Sequence, residues 1–137
     1  MPYYPLDALT QDQVLQLCDL YSREWWTAER TLDDVRTMLA GSAYVCGFGD
    51  EETGRLAAFA RVLSDGVFKA LIFDLIVDPP HRGQGLGAGL MKAILGDARL
   101  SRVKHFELYC LPELEPYYAG FGFSTDVGGI RLMRRQA

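Results

Sequence analysis

At 137 residues the chain can bury one substantial core but is too short for two domains. With 49% hydrophobic and 23% charged residues it carries too much apolar side chain for disorder. The net charge of −4 argues against a phosphate-backbone binder, since the one basic cluster, Arg131, Arg134 and Arg135, sits at the very end of the chain.

In chain order, Met1–Pro5 has no basic region followed by an apolar run, so no signal peptide is expected there. Thr10-x-x-Gln13 is a capping box that opens a helix with Val14, Leu17, Leu20 and Tyr21 on one side. Trp25-Trp26-Thr27 separates it from a second short helix, opened by Thr31 ahead of Asp33 and Asp34 and closed by Gly41. The period then changes to two. Ala43–Gly49 and Arg55–Leu63 read as strands around the turn residues Asp50–Gly54, and Val67–Val77 reads as a longer strand. Pro79 and Pro80 end that strand, because neither can donate to a ladder. Leu86–Arg99 is predicted as a helix, Lys104–Cys110 as a strand and Pro112–Ala119 as a short helix, with one or two strands over Phe123–Arg134. The order α-α-β-β-β-α-β-α-β predicts a mixed α/β (α+β) fold, a sheet covered by helices.

The longest apolar stretch, Ala70–Val77, contains Asp74 and falls far short of the roughly 20 residues needed to span a bilayer, so no membrane partner is expected. Cys18, Cys46 and Cys110 are odd in number and share no metal-like spacing, and His81 and His105 are scattered. The expectation is a cytoplasmic protein without a metal.

The chemistry concentrates in Arg82-Gly83-Gln84-Gly85-Leu86-Gly87-Ala88, between a buried strand and an amphipathic helix. Glycines let the backbone aim its N–H groups at one point and let a bulky anion approach. The helix start adds free N–H groups and a positive dipole end, and Arg82 can add a forked contact. These are the parts of a pyrophosphate cradle, although an ordinary glycine-rich turn has the same composition. A P-loop is excluded because no Gly-Lys-Ser/Thr follows. Gly83-x-Gly85-x-x-Ala88 fits a dinucleotide fingerprint formally, but Asp78-Pro79-Pro80-His81-Arg82 separate it from the strand end where that fingerprint belongs.

Asp78-Pro79-Pro80-His81-Arg82-Gly83-Gln84-Gly85-Leu86-Gly87, after Leu75-Ile76-Val77, resembles the central motif of the GCN5-related N-acetyltransferases. A second block, Tyr118-Ala119-Gly120-Phe121-Gly122-Phe123, resembles that family's Tyr-x-x-x-Gly-Phe signature in the expected order. The resemblance covers Ala43 to the C-terminus, and Met1–Ser42 matches only as a two-helix region. It implies a mostly antiparallel sheet, splayed at the acyl-coenzyme A site. Residues 1–42 would face the acceptor and residues 43–137 would form the acetyl-CoA-binding core of a single domain. Leu75, Ile76 and Val77 would pair with the pantetheine arm through their backbones. Backbone amides of Arg82, Gly83, Gln84, Gly85, Leu86, Gly87 and Ala88 would hold the pyrophosphate, and Tyr118 would reach the thioester sulfur, with Tyr117 facing elsewhere. Many members carry an asparagine seven residues before that tyrosine, where this chain has Leu111.

Acetyl transfer from acetyl-CoA needs a neutral amine, a held oxyanion and a protonated leaving thiolate. Asp74 is the only ionisable residue in Ala70–Val77, and burial there is expected to raise its pKa toward that of a useful base. A structural or amine-orienting role is the alternative. Cys110 reads as a buried small residue rather than an acyl carrier, since His105 falls on the opposite strand face. Trp25 and Trp26, with Tyr21 and Tyr44, could shape an acceptor pocket or simply pack in the core. The leading reading is an N-acetyltransferase acting on a small-molecule amine, with a homodimer left open. The alternatives are a protein amine as acceptor and a non-catalytic acyl-CoA-binding module on the same fold.

Overall fold

A computed structural model describes residues 2–137 and begins with a strand the pattern did not predict, Tyr3–Leu6 (β1). Pro5 lacks an N–H and is tolerated because β1 is an edge strand, paired antiparallel to Tyr44–Asp50 (β2) on one side only. The region before residue 43 is therefore not purely helical.

Both predicted caps form. Thr10 Oγ1 accepts from the Gln13 amide at 3.2 Å while Gln13 Oε1 accepts from the Thr10 amide at 3.0 Å, which starts Gln11–Ser22 (α1). Thr31 and Asp34 exchange the same pair of bonds at the start of Leu32–Gly41 (α2). The strands Leu56–Ser64 (β3) and Lys69–Val77 (β4) continue the sheet antiparallel, and His105–Leu108 (β5) joins β4 in parallel, giving the order β1-β2-β3-β4-β5. The predicted helix at Leu86 ends at Leu95 (α3), because Gly96 caps it, and Glu115–Ala119 forms a short α4. Among the described residues no strand follows β5. The predicted strands within Phe123–Arg134 are irregular, and Ile130, Leu132 and Met133 are exposed.

Two apolar layers sandwich the sheet. Leu86, Leu90, Met91 and Ile94 of α3 pack on the alternate residues Ala58, Ala60, Val62, Ala70 and Ile72. On the other face Leu17, Leu20 and Tyr21 of α1 and Val35 of α2 cover Leu56, Phe59 and Ile76. Among the described residues no helix is long and apolar enough to cross a membrane.

Gly47 tests how tightly β2 and β3 are packed. A Cβ there would lie 2.7 Å from the Ala58 carbonyl oxygen, whereas one at Gly41 would meet nothing within 4 Å. Gly47→Ala should cost about 1–3 kcal/mol in urea unfolding, since a backbone atom must move. Gly41→Ala should stay within about 1 kcal/mol of the parent.

Candidate active site

β4 runs to Val77, but its ladder with β5 covers only Lys69–Ile72. Among the described residues, the edge of β4 that would face β5 has no strand partner from Phe73 to Val77. The cause lies in the register with β3. Phe59 faces Ile76 and Arg61 faces Phe73, so the single residue Ala60 opposes both Asp74 and Leu75. This is a β-bulge, which bends its strand and increases local twist. Asp74 adopts φ 60°, alone among the described non-glycine residues in taking a positive φ. As a result Phe73 and Asp74 both act on the α1/α2 face, where ordinary alternation would have separated them.

The Asp74 side chain is only 4% exposed and every polar partner it has is a donor. Oδ2 accepts from Arg30 Nη1 at 2.6 Å, from Arg61 Nε at 2.7 Å and from the Tyr21 hydroxyl at 3.1 Å. Oδ1 accepts from Arg30 Nη2 at 3.1 Å. Burial pushes the carboxyl pKa up, but the hydrogen bonds and charges of Arg30 and Arg61 outweigh it and hold Asp74 below the usual carboxylate range. The expected raised pKa is therefore corrected. A carboxylate held by two guanidiniums is a poor proton acceptor. Tyr21, a candidate for either the acceptor pocket or the core, is fully buried and bound to Asp74. Tyr44 packs in the core under Arg99, whose guanidinium carbon lies 4.1 Å from its ring centroid.

Directly after β4 the chain turns through Pro79–His81 into the glycine loop. Gly83 and Gly85 have φ of 77° and 81°, which a side chain would strain. The first intrahelical bond of α3 runs from the Gly89 amide to the Gly85 carbonyl, so the amides of Leu86, Gly87 and Ala88 precede it and remain free to donate. Gly83, Gln84 and Gly85 are exposed, and the loop presents these groups outward. It is held from behind by β1. The Tyr3 hydroxyl donates to Gln84 Oε1 at 3.0 Å and shares a 2.8 Å hydrogen bond with His81 Nδ1. Arg82 departs from expectation: Nε donates to the Val77 carbonyl at 3.1 Å and Nη2 pairs with Glu24 at 3.1 Å. Its guanidinium ties α1 to the loop rather than facing the cradle.

On α4 the two tyrosines diverge. A Cβ at Gly87 would lie 3.0 Å from the Tyr117 hydroxyl and 3.7 Å from Leu75 Cδ2, so Tyr117 stands between α3 and the bare edge of β4. The expectation that Tyr117 faces elsewhere is corrected. Tyr118 packs with Phe121 and Phe123 against the core, and burial, with Tyr117 and Cys110 nearby, raises its pKa. It also lines a groove of 1120 Å³ between β5, α4 and the C-terminal segment; this groove does not include the glycine loop. Cys110 is exposed, not buried as expected. Leu111 is exposed, and so are Trp25 and Trp26, at 78% and 40%, so neither tryptophan is a core residue. Among the described residues no group of three or more His, Cys, Asp or Glu could hold a metal ion.

A family model for the acetyltransferase (GNAT) family matches residues 10–123, from the first helix cap through the Gly-Phe signature. The chain belongs to this family. It is 39% identical over 83 residues to GCN5-related N-acetyltransferase 1, chloroplastic, of Arabidopsis thaliana, covering 61% of this chain and 42% of that protein. It is 40% identical over 80 residues to serotonin N-acetyltransferase 2, chloroplastic, of Oryza sativa subsp. japonica, covering 58% of this chain and 40% of that protein. The matches thus span less than half the length of either plant protein. A crystal structure from Xanthomonas campestris pv. campestris, assigned to the GNAT family, superposes with TM-score 0.84 at 28% identity, covering 98% of this chain and 93% of that one.

Sequence reasoning missed Tyr3, Arg30 and Arg61. For Arg61 a signal was present: one guanidinium inside the apolar run Leu56–Leu63, beside a neighbouring apolar run with one carboxylate, calls for a pair. Because the folded Asp74 carboxyl titrates below its unfolded value, its stabilisation is present at neutral pH and is lost as pH falls through the folded pKa. Asp74→Asn keeps a residue that tolerates the left-handed backbone but strands two guanidiniums. It should lower stability by about 3–5 kcal/mol at neutral pH. The gap between parent and variant should narrow in urea titrations carried into acid; a gap independent of pH would show that the charge is not what matters.

Proposed function

We propose that this protein is an acetyl-CoA-dependent N-acetyltransferase that moves an acetyl group directly to the amine of a small molecule. The observation that carries the reading is the continuity of two features. A strand edge left bare from Phe73 to Val77 leads straight into a loop of left-handed glycines and free helix amides. An amide-bearing arm can pair with the first as an added strand, and a pyrophosphate can sit on the second. Leu75, Ile76 and Val77 are the proposed strand partners, and Gly83 through Ala88 the proposed cradle. When bound, the thioester supplies an activated acetyl group.

Tyr118 is the proposed proton donor to the departing sulfur. Burial keeps its phenol protonated at neutral pH, and it has the four-residue spacing to Gly122 shared with the family. The nearby Tyr117 hydroxyl, between Gly87 and Leu75, supports a role for that residue in holding the pantetheine arm. The acceptor must lose a proton from a pKa near ~10.4 before attack. Asp74, held by Arg30 and Arg61, is a poor acceptor of that proton, so water is its proposed immediate acceptor. Two arginines over one carboxylate disfavour a lysine-rich protein segment and support a small acceptor. One relative is named for serotonin, and the exposed Trp25 and Trp26 fit an aromatic amine. The three free cysteines support a reducing compartment, proposed as the cytoplasm, although two relatives are named chloroplastic.

Two measurements test this. Gly85→Glu places a carboxylate in the cradle and should weaken coenzyme A binding by about tenfold or more by calorimetry, with near-UV dichroism confirming the fold. Wild-type affinity would move the cradle elsewhere. Tyr118→Phe should lower kcat by about ten- to a thousandfold with little change in coenzyme A affinity, whereas Tyr117→Phe should act mainly on that affinity. A larger kcat loss in Tyr117→Phe would transfer the donor role to Tyr117. Coenzyme A binding without thiol release toward any amine would favour the non-catalytic module.

A further inference from the structure

The two arginines at the bulge are not equivalent. Arg30 spends both terminal nitrogens on Asp74. Arg61 spends only Nε, and its two Nη groups have no protein acceptor among the described residues, although its side chain is 13% exposed. They are not sealed in the core, since no fully buried side-chain nitrogen or oxygen lacks a partner. Arg61 is also fixed in place: its guanidinium carbon lies 4.9 Å from the Phe73 ring centroid, and Phe73 meets Tyr109 edge-on at 5.5 Å. The row Arg61, Phe73, Tyr109 therefore crosses from β3 over β4 to the residue after β5, on the α1/α2 face. It passes over the point where the β4 edge becomes bare.

The neighbouring charges leave this guanidinium unsatisfied. Arg61 and Arg30 against Asp74 carry one net positive charge. Three nearby carboxylates already have partners, Asp78 with Arg23, Glu24 with Arg82 and Glu107 with Lys69. An immobilised guanidinium with two free, adjacent N–H groups is pre-organised for a planar or tetrahedral oxyanion, because the side-chain entropy is already lost.

We infer that Arg61 selects an amine acceptor that carries an oxyanion, a carboxylate or a phosphate, a few bonds from the nitrogen. This rests on the acetyltransferase reading above and narrows its acceptor. The amine would lie toward Leu75 and the acid group on the Arg61 forks, with Phe73 and Tyr109 beneath the carbon skeleton between them. Asp74 then acts through Arg61, holding Nε so that the other two nitrogens face outward.

Matched pairs differing only in the acid group test the inference: 5-hydroxytryptophan against serotonin, phenylalanine against phenethylamine, and glucosamine 6-phosphate against glucosamine. Free thiol release from acetyl-CoA should give kcat/KM at least tenfold higher for the acid member of one or more pairs, with carboxylate and phosphate arms telling the two oxyanions apart. Arg61→Lys preserves a cation for Asp74 but removes the fork. It should bring that ratio toward one through the acceptor KM, leaving coenzyme A affinity as in the parent; Arg61→Met serves as the charge-free comparison if it folds. Equal or better use of the acid-free amines, or a ratio unchanged in Arg61→Lys, overturns the inference. A second readout separates it from the parent reading. Calorimetric titration of the same pairs into the coenzyme A-saturated protein should show the acid member binding more tightly, even if no amine is acetylated. Failure of turnover alone counts against the transferase reading, and equal binding within every pair counts against Arg61.

Discussion

The left-handed backbone at Asp74 marks where β4 parts from β5 while staying paired with β3. Without the extra residue of the bulge, the parallel ladder with β5 could continue past Ile72, and the amide groups of Leu75 to Val77 would be consumed by a neighbouring strand. A non-glycine residue at positive φ costs about 1–3 kcal/mol and persists only where its surroundings over-determine it. Here they do, because the carboxylate that this conformation delivers to the α1/α2 face meets donors from three separate segments: α1, the loop ahead of α2, and β3. The strain of the opening and the electrostatics of the α1/α2 face are thus one feature.

That feature also links the two halves of the chain. Arg30 precedes α2, so the helices are fastened to the bulge by a charged contact as well as by the apolar layer of Leu17, Val35 and Phe59. A similar fastening lies at the far end of β4, where Arg23 pairs with Asp78 and Glu24 with Arg82. These outer pairs are exposed and contribute little individually. Their effect is geometric, since they set the end of α1 beside the strand and loop that lead into α3.

Much of the architecture was legible in the sequence because its signals are local. Capping boxes, period-two runs and paired prolines act within a few residues, and they placed α1, α2, β2, β3 and β4 to within one or two residues. The glycine loop was legible for the same reason. Features that depend on distant residues were not. β1 is four residues long with a proline inside it, too short for a period, and its existence rests on the free edge of β2. The pKa of Asp74 was misread because burial is visible in its own apolar run, whereas the pairing with Arg61 shows only when two runs are read together and Arg30, 44 residues away, gives no local signal. The spacing rule singled out Tyr118 and turned Tyr117 elsewhere, but where Tyr117 stands depends on how α4 meets α3. The alternation at Ile130 and Leu132 read as a strand, yet no described neighbour pairs with it.

The contact between Tyr3 and the glycine loop spans more than half of the chain, since the hydroxyl meets partners 78 and 81 positions later. Closing so long a stretch of chain carries an entropic cost that only the finished sheet offsets, because β1 must first find β2. The loop sequence is local, but the rigidity of its shape is a property of the completed topology. A segment beginning at residue 43 would keep every glycine and lose the tether behind them. The shape of this loop therefore depends on whether the chain has finished folding, and not merely on whether the motif is present.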